Sequence, residues 1–135
     1  MIKNILARVI AASFALAGAS AFAGDIVAIG NPAAAALSKE QLADLYVGRN
    51  QSLTLLDLPE SSAIRTDYYK KLTGKDPSQI KSMWSRLTFT GKGVPPKELP
   101  DGAAVKKAVA ADPKTIGYID KSEVDGTVKV LLTIN

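Results

Sequence analysis

Hydrophobic and polar positions along this chain fall into short blocks whose period changes from one to the next. Asp25 to Gly30 (DIVAIG) is a continuous apolar run with β-branched residues, stopped by Gly30-Asn31-Pro32, and predicts a buried strand. Ala33 to Ala36 reads as a turn or a helical stub. From Ser38 to Val47 the apolar residues Leu42, Leu45 and Tyr46 share one helical face. Ser38 and Gln41 have the spacing of a capping box, and Gly48 stands where a helix stops. Leu53 to Leu58 (LTLLDL) predicts a second strand, ended by Pro59. Ser61 or Ser62 then caps a helix running to about Leu72, with Ile64, Tyr68 and Leu72 on one face and Gly74 beyond its end. Asp76-Pro77 opens another helix, Asp as N-cap and Pro in the first turn, with a stripe of Ile80, Met83, Trp84 and Leu87. Thr90 to Leu99 (TGKGVPPKEL) reads as a loop by its glycines and prolines. Asp101 caps a helix through Ala111, with Ala104, Val105, Ala108 and Val109 turned inward. Ile116 to Ile119 is a short strand, Val124 to Gly126 a turn, and Thr127 to Ile134 the last strand.

The order β-α-β-α-α-α-β-β predicts an α/β domain, a small mixed β-sheet flanked by helices. The Asp125-Gly126 turn between the last two strands suggests a hairpin-like end. No internal repeat, low-complexity linker or charge block divides the chain, so one domain is expected.

The first residues change the picture of where that domain works. Lys3 and Arg8 form a basic start, Val9 to Gly18 is small or apolar apart from Ser13, and Ala21-Phe22-Ala23 precedes Gly24. This is the pattern of a signal peptide over residues 1–23, cleaved after Ala23. The apolar run is shorter than the roughly 20 residues of a membrane span, so no stable membrane anchor is expected after cleavage. The domain proper is then 24–135, exported to the periplasm. Losing Lys3 and Arg8 takes the formal net charge from +4 to +2, and no clustered basic face argues for nucleic acid. The chain has no cysteine and no histidine. That excludes disulfides, thiol chemistry and thiolate metal sites, and removes the usual general base and commonest transition-metal ligand. Nothing marks a cofactor, and an enzyme is not expected.

Three segments resemble the second lobe of the phosphate-type, type II periplasmic solute-binding proteins. Ile26 to Tyr46 runs through Asn31-Pro32 into Leu37-Ser38-Lys39-Glu40-Gln41-Leu42, followed by Leu45-Tyr46-Val47-Gly48. In that family a strand ending in Asn-Pro leads to a helix of the form Leu-Ser-x-x-x-Leu-x-x-Ile-Phe-x-Gly. Pro59 to Tyr69 is the second segment. Pro113-Lys114-Thr115-Ile116-Gly117-Tyr118-Ile119 is similar to the family's Pro-Gly-x-Ile-Gly-Tyr-Val element. The chain also looks like short, single-lobe proteins labelled as phosphate transporter substrate-binding proteins. The resemblance implies one lobe of such a receptor, phosphate or a related oxyanion as ligand, and an ABC-type uptake transporter as partner.

The same resemblance exposes departures. Phosphate binders of this kind place an Arg before a Ser-Gly-Thr at a helix start, where free amides and a guanidinium hold the oxyanion. The matching stretch here is Ser61-Ser62-Ala63-Ile64: Ser62 stands at the motif serine, Ala63 and Ile64 replace the glycine and threonine, and Leu58 lies near the expected arginine. Arg65 is the one guanidinium in reach to substitute. Ser61, Ser62 and Arg65 are therefore candidate ligand-binding residues, against the plainer reading of a serine cap and a surface arginine. Lys92, between Gly91 and Gly93, is another candidate, since two glycines around a lysine can form an anion-cradling nest; the alternative is a flexible connector. Tyr118, at a strand end, is a candidate ligand-facing ring, although core packing is the default. Trp84 is expected in the core. Tyr68 and Tyr69 point about 100° apart on a helix, so one is expected to pack and the other to be exposed. Asp57 with Glu60, and Asp120 with Glu123, read as surface and turn residues. The competing function is a periplasmic protein-interaction or sensor-partner module on a binding-lobe scaffold whose ligand site has decayed, with no transport role.

Overall fold

The computed structural model describes residues 25–134. The stretch read as a signal peptide, with its cleavage after Ala23, lies outside the described residues.

Five strands form one sheet: β1 (Ile26–Gly30), β2 (Thr54–Asp57), β3 (Lys97–Glu98), β4 (Thr115–Asp120) and β5 (Lys129–Ile134), in the order β3-β2-β4-β1-β5. The helices are α1 (Lys39–Tyr46), α2 (Ala63–Thr73), α3 (Pro77–Phe89) and α4 (Gly102–Ala111), with a 3₁₀ turn at Lys121–Glu123. The fold is the expected mixed α/β arrangement. β2 runs parallel to β3 and β4, while β1 runs antiparallel to β4 and β5.

Helix starts follow from local chemistry. At α1 the Ser38 Oγ accepts from the Gln41 amide at 3.1 Å, and the Gln41 side chain accepts from the Ser38 amide at 2.9 Å. Of the two serines that could cap α2, Ser62 does so, its Oγ accepting from the Arg65 amide at 3.3 Å. Asp76 and Pro77 open α3, and Asp101 caps α4. Gly74 ends α2 in the left-handed conformation, at φ 75°.

Sheet pairing departs from expectation in one respect. β4 and β5 do not form a hairpin; β1 lies between them and pairs with both. All five residues of β1 are buried, so an edge position would leave apolar side chains and backbone groups uncovered. The connection from Lys121 to Val128 carries the 3₁₀ turn and is long enough to pass one strand, a step of about 10 Å at the usual strand spacing. A second difference is β3, two residues within the expected 90–99 loop. It extends the sheet beyond β2, and the Leu99 amide donates to the Asp57 carbonyl at 2.9 Å.

The core contains all four tyrosines of the chain, Tyr46, Tyr68, Tyr69 and Tyr118, each fully buried. Tyr68 stacks on Tyr118 with centroids 3.7 Å apart, and Tyr46 meets the Tyr68 ring edge-on at 5.0 Å. The expectation that only one of Tyr68 and Tyr69 is buried does not hold. Helix α2 sits deep enough for one to meet Tyr118 and the other to reach the end of β2. Trp84 is in the core as expected, its indole N–H donating to the Tyr46 carbonyl at 2.9 Å.

Candidate functional site

The site grows from the carboxyl end of β2. Leu55 and Leu56 bury the strand, and Asp57 follows them inward, only 3 % exposed. This corrects its reading as a surface residue: a buried carboxylate persists only with partners, and Asp57 has several. Its Oδ1 accepts from the Leu58 amide at 2.9 Å and from the Tyr118 hydroxyl, and its Oδ2 accepts from the Tyr69 hydroxyl at 2.6 Å. Burial raises the carboxyl above its ordinary value; the two hydroxyls, Arg65 and the Leu58 amide pull the other way without cancelling it. Burial likewise pushes Tyr69 and Tyr118 upward, so both act as hydrogen-bond donors.

Arg65 comes from the first turn of α2, and the turn made by Ser62 folds it back over the end of β2. The residue is 6 % exposed. Its Nη1 donates to the Leu58 carbonyl at 2.7 Å and to Glu98 Oε2 at 3.1 Å. Its Nε lies 3.7 Å from Asp57 Oδ1, beyond hydrogen-bond distance, and has no partner. Burial works against the charge, and Asp57 and Glu98 outweigh it, so the guanidinium stays protonated. Its carbon also stands 5.8 Å from the Tyr69 ring centroid.

Above these groups lies a cleft of about 470 Å³. Asp57, Arg65 and Tyr69 form its floor, and Glu60, Lys81 and Glu98 its polar rim. Ile80, Trp84 and Phe89 of α3, with Pro95 and Pro96 of the loop before β3, supply its apolar lining, and α3 also contributes Ser85 and Thr88. The Lys81 ammonium is tied to Glu60 at 3.0 Å. The cleft sits outside the carboxyl ends of the parallel strands β2 and β3, where open α/β sheets bind ligands. A guanidinium at this place can donate to an anion. Among the described residues no group of three or more acids is placed to hold a metal ion.

Of the five residues singled out from the sequence, only Arg65 reaches this cleft. Ser62 is the half-buried cap of α2, and Ser61 is exposed in the turn before it. Tyr118 does not face a ligand surface; its ring is stacked in the core and its hydroxyl is held by Asp57. Lys92 borders a separate depression with Gln51, Leu53 and Leu55. The amides of Gly91 and Lys92 donate to Thr88 and Leu87 at 3.0 and 2.7 Å. They close the end of α3 instead of opening a nest. The residues missed were Asp57, Tyr69 and Glu98. Asp57 had a legible signal, a lone charge inside an apolar strand pattern; Glu98, in a proline-rich loop, had none.

Among the described residues no helix is long and apolar enough to cross a membrane. No protein-family model matches the sequence, and no curated protein is similar to it. Solved structures do share the fold. An ABC-type phosphate transport receptor from Vibrio cholerae superposes with a TM-score of 0.59 at 16 % identity, over 80 % of this chain and 45 % of the receptor. A protein from Clostridium perfringens, assigned as a phosphate ABC transporter substrate-binding protein and solved with phosphate bound, gives 0.64 at 18 % identity, over 80 % and 44 %. The chain therefore spans less than half the length of these receptors and has the fold of one part of them.

Proposed function

We propose that the protein is an exported, non-catalytic binding module that takes an anionic solute on Arg65, in the cleft at the ends of β2 and β3. The observation that carries this reading is the position of the guanidinium. The family resemblance expects an arginine near Leu58, and Arg65 reaches back from the next turn to donate to the Leu58 carbonyl. A cation is thus held at that place by a different residue. The leader-like N-terminus supports export to the periplasm. The fold shared with receptors named for phosphate transport supports an oxyanion such as phosphate as one ligand, and delivery to an ABC-type transporter as the role.

The test is calorimetric titration of residues 24–135 with phosphate, sulfate and methylphosphonate. Saturable binding is expected for at least one anion. Arg65→Lys, which keeps the charge and loses the planar fork, should weaken it. Glu98→Gln, which removes the carboxylate competing for Arg65 from a half-exposed position, should tighten it by roughly two- to fivefold, the worth of a partly solvated ion pair. No saturable binding of any of these anions, by either the parent protein or the Glu98→Gln variant, contradicts the reading.

A further inference from the structure

The cleft holds more than a cation, and its make-up bears on which anions it takes. Three carboxylates, Asp57, Glu60 and Glu98, stand around it against two cations, Arg65 and Lys81. Lys81 is exposed and tied to Glu60, Ser85 and Thr88 add hydroxyls to the lining, and Arg65 is the one buried cation of the cleft. Of the five Arg65 N–H donors, two are spent by Nη1 on Leu58 and Glu98, and Nε is buried beside Asp57; the two on Nη2 meet no acceptor among the described residues and are left for a ligand. The apolar part of the lining is Ile80, Trp84, Phe89, Pro95 and Pro96, and Phe89 is 92 % exposed.

A bare tetrahedral oxyanion would stand here among three carboxylates against two cations, each already paired with one of those carboxylates. It would also fill a small part of a cleft whose volume is in the range of sites for organic ligands. We infer that the cleft prefers organic anions with an apolar body, such as aryl or alkyl phosphonates, phosphomonoesters and carboxylates, over inorganic phosphate. The head group lies on Arg65, and the body covers Phe89 and the proline pair, where removing apolar surface from water supplies affinity that cations already paired with carboxylates do not. This rests on the proposed anion-binding role of Arg65.

Trp84 is the single tryptophan of the chain and lines the cleft, so its fluorescence reports occupancy. Residues 24–135 are titrated with inorganic phosphate, methylphosphonate and phenylphosphonate at one pH and ionic strength, with calorimetry in parallel. Phenylphosphonate should bind about tenfold or more tightly than methylphosphonate, with phosphate weakest. Phe89→Ser, at a position too exposed to disturb folding, should reduce the advantage of the phenyl group several-fold. Phosphate binding as tightly as phenylphosphonate and weakened by Arg65→Lys would overturn the inference and leave the anion site standing. A phenyl preference untouched by Phe89→Ser would overturn the placement of the body and hence the inference. Binding of none of the three would overturn the inference together with the reading beneath it.

Discussion

At the scale of single residues, the floor of the cleft is a set of buried polar groups that hold one another in place. The Asp57 carboxylate tolerates burial because Tyr69, Tyr118 and the Leu58 amide donate to it and Arg65 stands beside it. Tyr69 and Tyr68 are neighbours in α2 with opposite hydrogen-bond status: the Tyr69 hydroxyl is bonded to Asp57, and the Tyr68 hydroxyl is buried without a partner. Tyr69→Phe strips a donor from a buried carboxylate and should cost about 1.5–3 kcal/mol of stability. Tyr68→Phe removes a hydroxyl that satisfies nothing, so it should be neutral or mildly stabilising. Urea denaturation of both variants checks this, and equal losses would contradict the assignment of partners. These residues were only half legible in the sequence, and the reason is mutual. Two adjacent tyrosines read as one buried and one exposed because no buried acceptor was in view. Asp57 read as a surface residue because no buried donors were. Each burial makes sense only once the other is known.

At the scale of elements, legibility followed the range of the interactions. The helix starts at Ser38, Ser62, Asp76 and Asp101 were readable because an N-cap is decided within about four residues. The pairing of β1 with both β4 and β5 was not, because it joins segments about a hundred residues apart. β3 escaped notice because two residues carry no periodicity. One sequence feature that matched the resemblance has a packing explanation. Gly117 in β4 lets α4 lie close on the sheet: a Cβ there would sit 2.5 Å from Val105 Cγ1 and 3.4 Å from the Leu56 Cβ. Val105 is β-branched and fully buried, so it has little room to turn away. Gly117→Ala should therefore destabilise the protein by about 1–3 kcal/mol, the usual cost of overpacking. Thermal and urea unfolding measure it; an unchanged midpoint would mean that α4 can lift from the sheet at no cost.

At the scale of the whole molecule, the two ends of the sheet have different work. β1 and β5, from opposite ends of the described chain, close one side. At the other, β2 and β3 end in Asp57 and Glu98, α2 brings Arg65, and α3 leans its apolar face over them. The fold is shared with less than half the length of two solved proteins named for phosphate transport, yet Arg65 hydrogen-bonds the chain's own Glu98, so a carboxylate of the protein already occupies part of the guanidinium. An arriving anion must share Arg65 with Glu98 or displace it. The most direct measurement is a crystal structure of residues 24–135 grown with saturating phenylphosphonate. The account predicts phosphonate oxygens about 2.8 Å from the Arg65 guanidinium, with the phenyl ring against Phe89 and the proline pair. A head group seated instead beside Ser61 and Ser62, or at Gly91–Gly93, with Arg65 still bonded to Glu98, would contradict it.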